Sequence, residues 1–99
     1  PHYEPTAEHS ALITTGNVLL IDLWAYPEGG MWADQTWMAW VGDEPVPERV
    51  AAAWAAVRDA REAAIARMTS AHAAGAAISG ADADDAARSV LVARGFAPY

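Results

Sequence analysis

Two apolar segments separated by a short glycine-containing turn constrain this chain more than any other feature. The first runs Val18-Leu19-Leu20-Ile21-Asp22-Leu23-Trp24-Ala25; the second runs Met31-Trp32-Ala33-Asp34-Gln35-Thr36-Trp37-Met38-Ala39-Trp40-Val41. Tyr26-Pro27-Glu28-Gly29-Gly30 between them has the composition of a turn. Apolar residues dominate both flanks, so the region 18–41 reads as an antiparallel hairpin. Alternation places Val18, Leu20, Asp22, Trp24, Trp32, Asp34, Thr36, Met38 and Trp40 on one face. Leu19, Ile21, Leu23, Ala25, Met31, Ala33, Gln35, Trp37, Ala39 and Val41 fall on the other. Both faces are largely apolar, which predicts a hairpin covered on both sides.

Each segment carries a single acid. Reflecting the chain about Glu28 sets Asp22 opposite Asp34, and Trp24 opposite Trp32. Two carboxylates on directly facing strand positions would have Cβ atoms about 4.5–5.5 Å apart and would repel. A buried, unpaired carboxylate is also costly. A divalent metal ion is the simplest positive charge to place between them, because carboxylate oxygens are hard ligands. The bland alternative is two solvated strand residues, against which the Leu20-Ile21 and Leu23-Trp24 flanks argue. Thr36 lies two positions beyond Asp34 on the same face. It suits a hydrogen-bonding partner of a ligand, or simply a residue that favours strands. His2 at the amino end is ordinarily a solvated side chain, and His9 and His72 have no partner spacing. Four of the five Trp lie in the hairpin, where core packing is the first expectation and a pocket wall the second.

The rest of the chain is helical by pattern. Gly42-Asp43-Glu44-Pro45-Val46 is a loop; Pro47 and Glu48 suit a helix start. A helix over 47–71 follows from Val50, Trp54, Val57, Ala64 and Met68, an apolar stripe interrupted by Arg61. A small-residue connector leads to a second helix over 81–94, with Asp82, Asp84 and Asp85 at its start, Val90 and Leu91 as anchors, and Gly95 as its stop. Residues 1–17 form an extended lead-in.

Composition closes off several functions. Thirteen acidic side chains against six basic ones, all Arg, give a formal charge of −7. No basic patch exists for nucleic acid or an anionic membrane surface. With no Cys, neither a disulfide framework nor a thiolate metal site can form, which agrees with a cytoplasmic setting. No apolar run approaches the roughly 18 residues of a membrane span. Phosphate-cradling Gly loops, zinc-protease helices and Ser nucleophile elbows are missing. The first residues lack an initiator Met, and Gly95-Phe96-Ala97-Pro98-Tyr99 reads as the start of another strand, so the chain is expected to be a piece of a longer protein or one whose ends were trimmed.

The order of these features resembles the first part of the catalytic domain of the pita-bread metallopeptidases, which include methionine aminopeptidase, aminopeptidase P, prolidase and creatinase. The features are His2, Val18-Leu19-Leu20-Ile21-Asp22, a Gly turn, Asp34-Gln35-Thr36-Trp37, Val41-Gly42-Asp43, an Ala-rich helix, and a helix ending Arg94-Gly95-Phe96. The resemblance spans essentially the whole chain, is strongest over residues 18–42, and is nearest to the Xaa-Pro peptidase branch. It implies an α/β (α+β) half-pita-bread fold: one partial domain over residues 1–99, with an antiparallel hairpin packed with two helices. It implies that Asp22 and Asp34 are the first two of five ligands to two divalent metal ions (Mn, Co or Zn), Asp22 chelating one and Asp34 bridging both. Thr36 matches a residue beside the second ligand, and His2 a substrate-contacting histidine. The implied activity is hydrolysis of an N-terminal peptide bond of a peptide or dipeptide by metal-activated water.

Two departures stand out from the family pattern. The spacing from Asp22 to Asp34 is one residue longer than usual, and Trp37 replaces the usual Arg. No catalytic acid–base group is expected within this segment, so the 99-residue chain alone is expected to be inactive. Two other readings remain open: a non-catalytic pita-bread module that binds peptides or proteins, and a metal-free creatinase-like hydrolase. The apolar face bearing Val18, Leu20, Trp24, Met38 and Trp40 is expected to be shielded by the remainder of the domain or by self-association.

Overall fold

The computed structural model describes residues 5–96. The chain contains two strands followed by two helices: β1 (Val18–Ala25), β2 (Ala33–Trp40), α1 (Glu48–Ala73) and α2 (Gly80–Ala93). It divides after Pro45 into two compact units, one holding the hairpin and the other the helices. Neither helix is long and apolar enough to cross a membrane.

In the first unit, β1 and β2 pair antiparallel, with Val18 opposite Trp40 and Ala25 opposite Ala33. A turn precedes the ladder: the Asn17 amide donates to the Thr14 carbonyl at 3.1 Å, and Asn17 Oδ1 accepts from the Thr14 amide at 3.0 Å. The Val41 amide donating to the Asn17 carbonyl at 3.0 Å carries the same register one rung further. At the other end the Gly30 amide donates to the Pro27 carbonyl at 2.8 Å. Gly29 sits at φ 73°, the left-handed conformation that glycine adopts at no steric cost.

The expectation of a hairpin covered on both sides is not met. Of the sixteen strand residues only Leu19 and Trp40 are half-buried, and the others are exposed. The apolar composition therefore marks surface that this chain presents rather than a core that it encloses.

In the second unit the helices pack through alanine. Ala56, Ala60 and Ala71 are the fully buried apolar residues among those described. Ala83, Ala86, Ala87, Val90 and Leu91 of α2 are half-buried. Small side chains let two helix backbones come close, which bulky residues would prevent. The stripe expected to be buried on α1 instead turns partly outward, with Trp54, Val57 and Met68 exposed. Charged groups reinforce the pairing. Arg94 at the end of α2 donates to Asp59 of α1, and Arg67 Nη2 of α1 lies 3.8 Å from Asp82 Oδ1 of α2.

Both helices end on a left-handed glycine. After α1, the Ala76 amide donates to the Ala71 carbonyl at 2.9 Å with Gly75 at φ 61°. After α2, the Phe96 amide donates to Leu91 at 2.9 Å with Gly95 at φ 77°. These bonds satisfy carbonyls that the helix ends would otherwise leave unpaired. Ser79 caps the start of α2: its hydroxyl accepts from the Asp82 amide at 3.2 Å, and Asp82 Oδ2 accepts from the Ser79 amide at 2.8 Å. The sequence Ser79-Gly80-Ala81-Asp82 has the spacing of this reciprocal cap, with Asp in the place of the usual Glu. Helix α1 has no side-chain cap; Pro47 occupies its N-cap position, and Glu48 lies in the first turn.

Candidate metal centre

The ladder places the two acids differently from a reflection about Glu28. Asp22 lies opposite Thr36, and Asp34 lies opposite Trp24. The hairpin axis passes through Gly29, one residue later than expected. A shift of one residue in the axis moves each partner by two positions, so even-numbered residues still meet even-numbered residues. Asp22 and Asp34 therefore share a face as diagonal neighbours. Such neighbours lie roughly 7–8 Å apart, within reach of a common ion but not in direct repulsive contact.

Thr36 partners Asp22. Its Oγ1 donates to Asp22 Oδ1 at 2.9 Å across the hairpin. The sequence pattern had associated Thr36 with Asp34, its neighbour along the strand; the bond goes to the facing strand because position 36 is directly opposite 22. The hydroxyl fixes one carboxylate oxygen of Asp22 and leaves Oδ2 for another partner. Both acids are exposed, so the cost of burying a charge does not require a cation here. The case for a metal rests on donor type and placement.

Asp22 and Asp34 are hard oxygen donors on one face, which suits divalent ions such as Mn or Zn. They make an incomplete shell: among the described residues no group of three or more His, Cys, Asp or Glu side chains could hold an ion. His2, the expected substrate contact, lies outside the described residues. No polar side chain on the same face of the paired strands completes the cluster, since the remaining rungs are Leu20 with Met38 and Val18 with Trp40.

Sequence reasoning also missed an aromatic feature. Tyr26 and Trp32 make a tilted ring contact at the turn, with centroids 4.1 Å apart and planes at 49°. The signal was present, since 26 and 32 are symmetric about Gly29. Reflection about Glu28 hid it by pairing Trp32 with Trp24.

A carboxylate pair on one face of an antiparallel hairpin, followed by two helices, defines an α+β fragment consistent with half of a pita-bread fold. The chain belongs to metallopeptidase family M24, whose family model matches residues 1–99. No curated protein and no solved structure gives a significant match. The family is one of hydrolases that generally use divalent metals, and membership points to a metallopeptidase-type function.

Proposed function

We propose that this chain contributes the first two carboxylate ligands of a metal-dependent aminopeptidase or dipeptidase that cleaves the N-terminal peptide bond ahead of proline. The observation that carries the reading is the Asp22–Thr36–Asp34 cluster on one hairpin face of a family M24 chain. Asp22 and Asp34 would hold two divalent ions, Mn, Co or Zn, together with donors supplied elsewhere in the complete domain. Bound there, the ions supply Lewis-acid polarisation of the carbonyl and activation of water. The chain's own part is to present two carboxylates on a paired ladder, with Thr36 holding Asp22 Oδ1 in one orientation. His2 would contact the substrate. No described residue is assigned the general base, so these 99 residues form a partial site.

The test is hydrolysis of Ala-Pro against Ala-Ala by the full-length protein, with and without a chelator. The expected result is chelator-sensitive cleavage of Ala-Pro that Asp34→Ala abolishes, while the isolated 99-residue chain is inactive. Turnover by the isolated chain that Asp22→Ala removes would contradict the partial site. A full-length protein that binds peptides without cleaving them would make this a non-catalytic module. Cleavage that survives chelation would make it a metal-free hydrolase.

A further inference from the structure

The face that carries Asp22 and Asp34 changes character along its length. From the open end, its rungs are Val18 with Trp40, Leu20 with Met38, Asp22 with Thr36, and Trp24 with Asp34. Just beyond the last paired rung, Ala25 with Ala33, the rings of Tyr26 and Trp32 meet at the turn. Three aromatic rings thus border the polar rungs on the turn side, and Trp24 directly faces Asp34. These rings are not consumed by a core: Trp24 is 65% exposed, Trp32 62% and Tyr26 56%. Trp24 stands beside the carboxylates, and the Tyr26–Trp32 pair adjoins it along the chain at the turn.

We propose that Trp24 and the Tyr26–Trp32 pair form the specificity wall for the substrate, receiving the apolar side chain of its first residue while the scissile bond lies at Asp22 and Asp34. This inference rests on the peptidase reading above. Its occupant follows from three features. Wide, exposed aromatic faces favour apolar or aromatic groups through area and stacking. Trp24 faces Asp34 on the same rung and is next to Asp22 along its own face, so a group against its ring lies roughly 5–8 Å from whatever the carboxylates hold. The first basic side chain other than histidine in the sequence is Arg49, so the hairpin segment offers no Lys or Arg to pair with an anionic side chain. Divalent ions at Asp22 and Asp34 would offset the acids and remove the advantage of a cationic side chain. An apolar first residue is the class that remains favourable with the site loaded.

Two measurements test the wall separately from the chemistry. In the first, full-length, metal-loaded protein is assayed with Gly-Pro, Leu-Pro and Phe-Pro. The wild type should prefer Leu-Pro and Phe-Pro through KM, and Trp24→Ser should collapse that preference by roughly three- to tenfold, the worth of one aromatic contact. Trp24→Phe, which keeps a ring, should retain most of it. In the second, Leu-Pro is titrated into the metal-free full-length protein while the indole N–H resonances are followed. The signals of Trp24 and Trp32 should move and that of Trp54 on α1 should not. An unchanged Leu-Pro to Gly-Pro ratio in Trp24→Ser overturns the wall, as does a titration in which neither hairpin indole moves. Failure of the wild type to cleave any dipeptide counts against the peptidase reading alone, and the titration then decides the wall by itself.

Discussion

The Thr36 hydroxyl donates to Asp22 Oδ1 at 2.9 Å from the directly opposite rung of the hairpin. If Asp22 ligates an ion as proposed, this bond would set the orientation of its carboxylate before the ion arrives. Loss of such outer partners typically costs about tenfold to a hundredfold in metal affinity. Thr36→Val removes the donor while keeping the branched shape that suits a strand. In calorimetric titration of the full-length protein with Mn²⁺, Thr36→Val should weaken binding by about that factor, and Thr36→Ser should restore most of it. Equal affinity in all three proteins would reduce the bond to a local feature of the ladder.

The helical unit has its own pH signature. A hydrogen bond from Arg58 is the largest cause holding the Asp59 carboxyl below its ordinary range, and Arg94 adds to it. Hydrogen bonds from the Ser79 hydroxyl and backbone do the same for Asp82, with a further contribution from Arg67. A carboxyl whose folded pKa is depressed stabilises the fold above its unfolded value, here 3.8, and that contribution is lost as pH falls through the folded value. Thermal unfolding followed by circular dichroism should therefore show a small fall in Tm on acidification below that point, because both carboxyls are solvent-screened. Asp59→Asn should lower Tm at neutral pH and flatten the acid limb. A variant curve parallel to wild type across the whole range would show that Asp59 carries none of the dependence.

The reciprocal cap at Ser79 gives a stability prediction that does not involve the charged network of Asp59. Ser79→Ala leaves the Asp82 amide without its side-chain acceptor and should cost about 1 kcal/mol. Urea unfolding should show a lower midpoint with an unchanged slope. A cost near zero would mean that water replaces the cap at no penalty.

The turn fixes the register, and Gly30 is where it can be disturbed. A Cβ added there would overlap the Pro27 ring and lie 3.2 Å from the Pro27 carbonyl. Gly30→Ala should loosen the turn and weaken the alignment of Thr36 with Asp22. Hydrogen exchange at the strand amides should then accelerate, most of all near the turn. Unaltered exchange would show that Pro27 can yield.

The strands were legible because two apolar runs flank an obvious turn. The shared face of Asp22 and Asp34 was legible for the same reason, since parity survives a shift of the axis by one residue. The rung-by-rung pairing was not. It depends on which of two adjacent glycines takes the left-handed conformation, and composition does not decide between Gly29 and Gly30. On α1, Trp54, Val57 and Met68 suggested the packing face by hydrophobicity. The helices instead meet through Ala56, Ala60 and Ala71, where size decides, and an alanine-rich helix has alanine on every side. The cap at Ser79 was readable in Ser79-Gly80-Ala81-Asp82 but was obscured by the glycine within it.

The exposed hairpin makes the last prediction. On the face away from the acids, Ile21 lies opposite Trp37 and Leu23 opposite Gln35. Trp37 is 65% exposed and Leu23 63%, in a ribbon whose two strands have no further strand paired to them among the described residues. Apolar faces of this kind favour association, and an unpaired edge can add a strand from a second copy by an isologous contact. We expect the isolated 99-residue chain to self-associate through this hairpin. Light scattering across a dilution series should give a mean mass that rises with concentration. Trp37→Glu places a charge in the middle of the apolar face and should shift the chain toward monomer without altering its helical signal. A stable monomer at high concentration would show that these side chains are shielded within a single copy, and the hairpin would then have to be treated as part of an internal core.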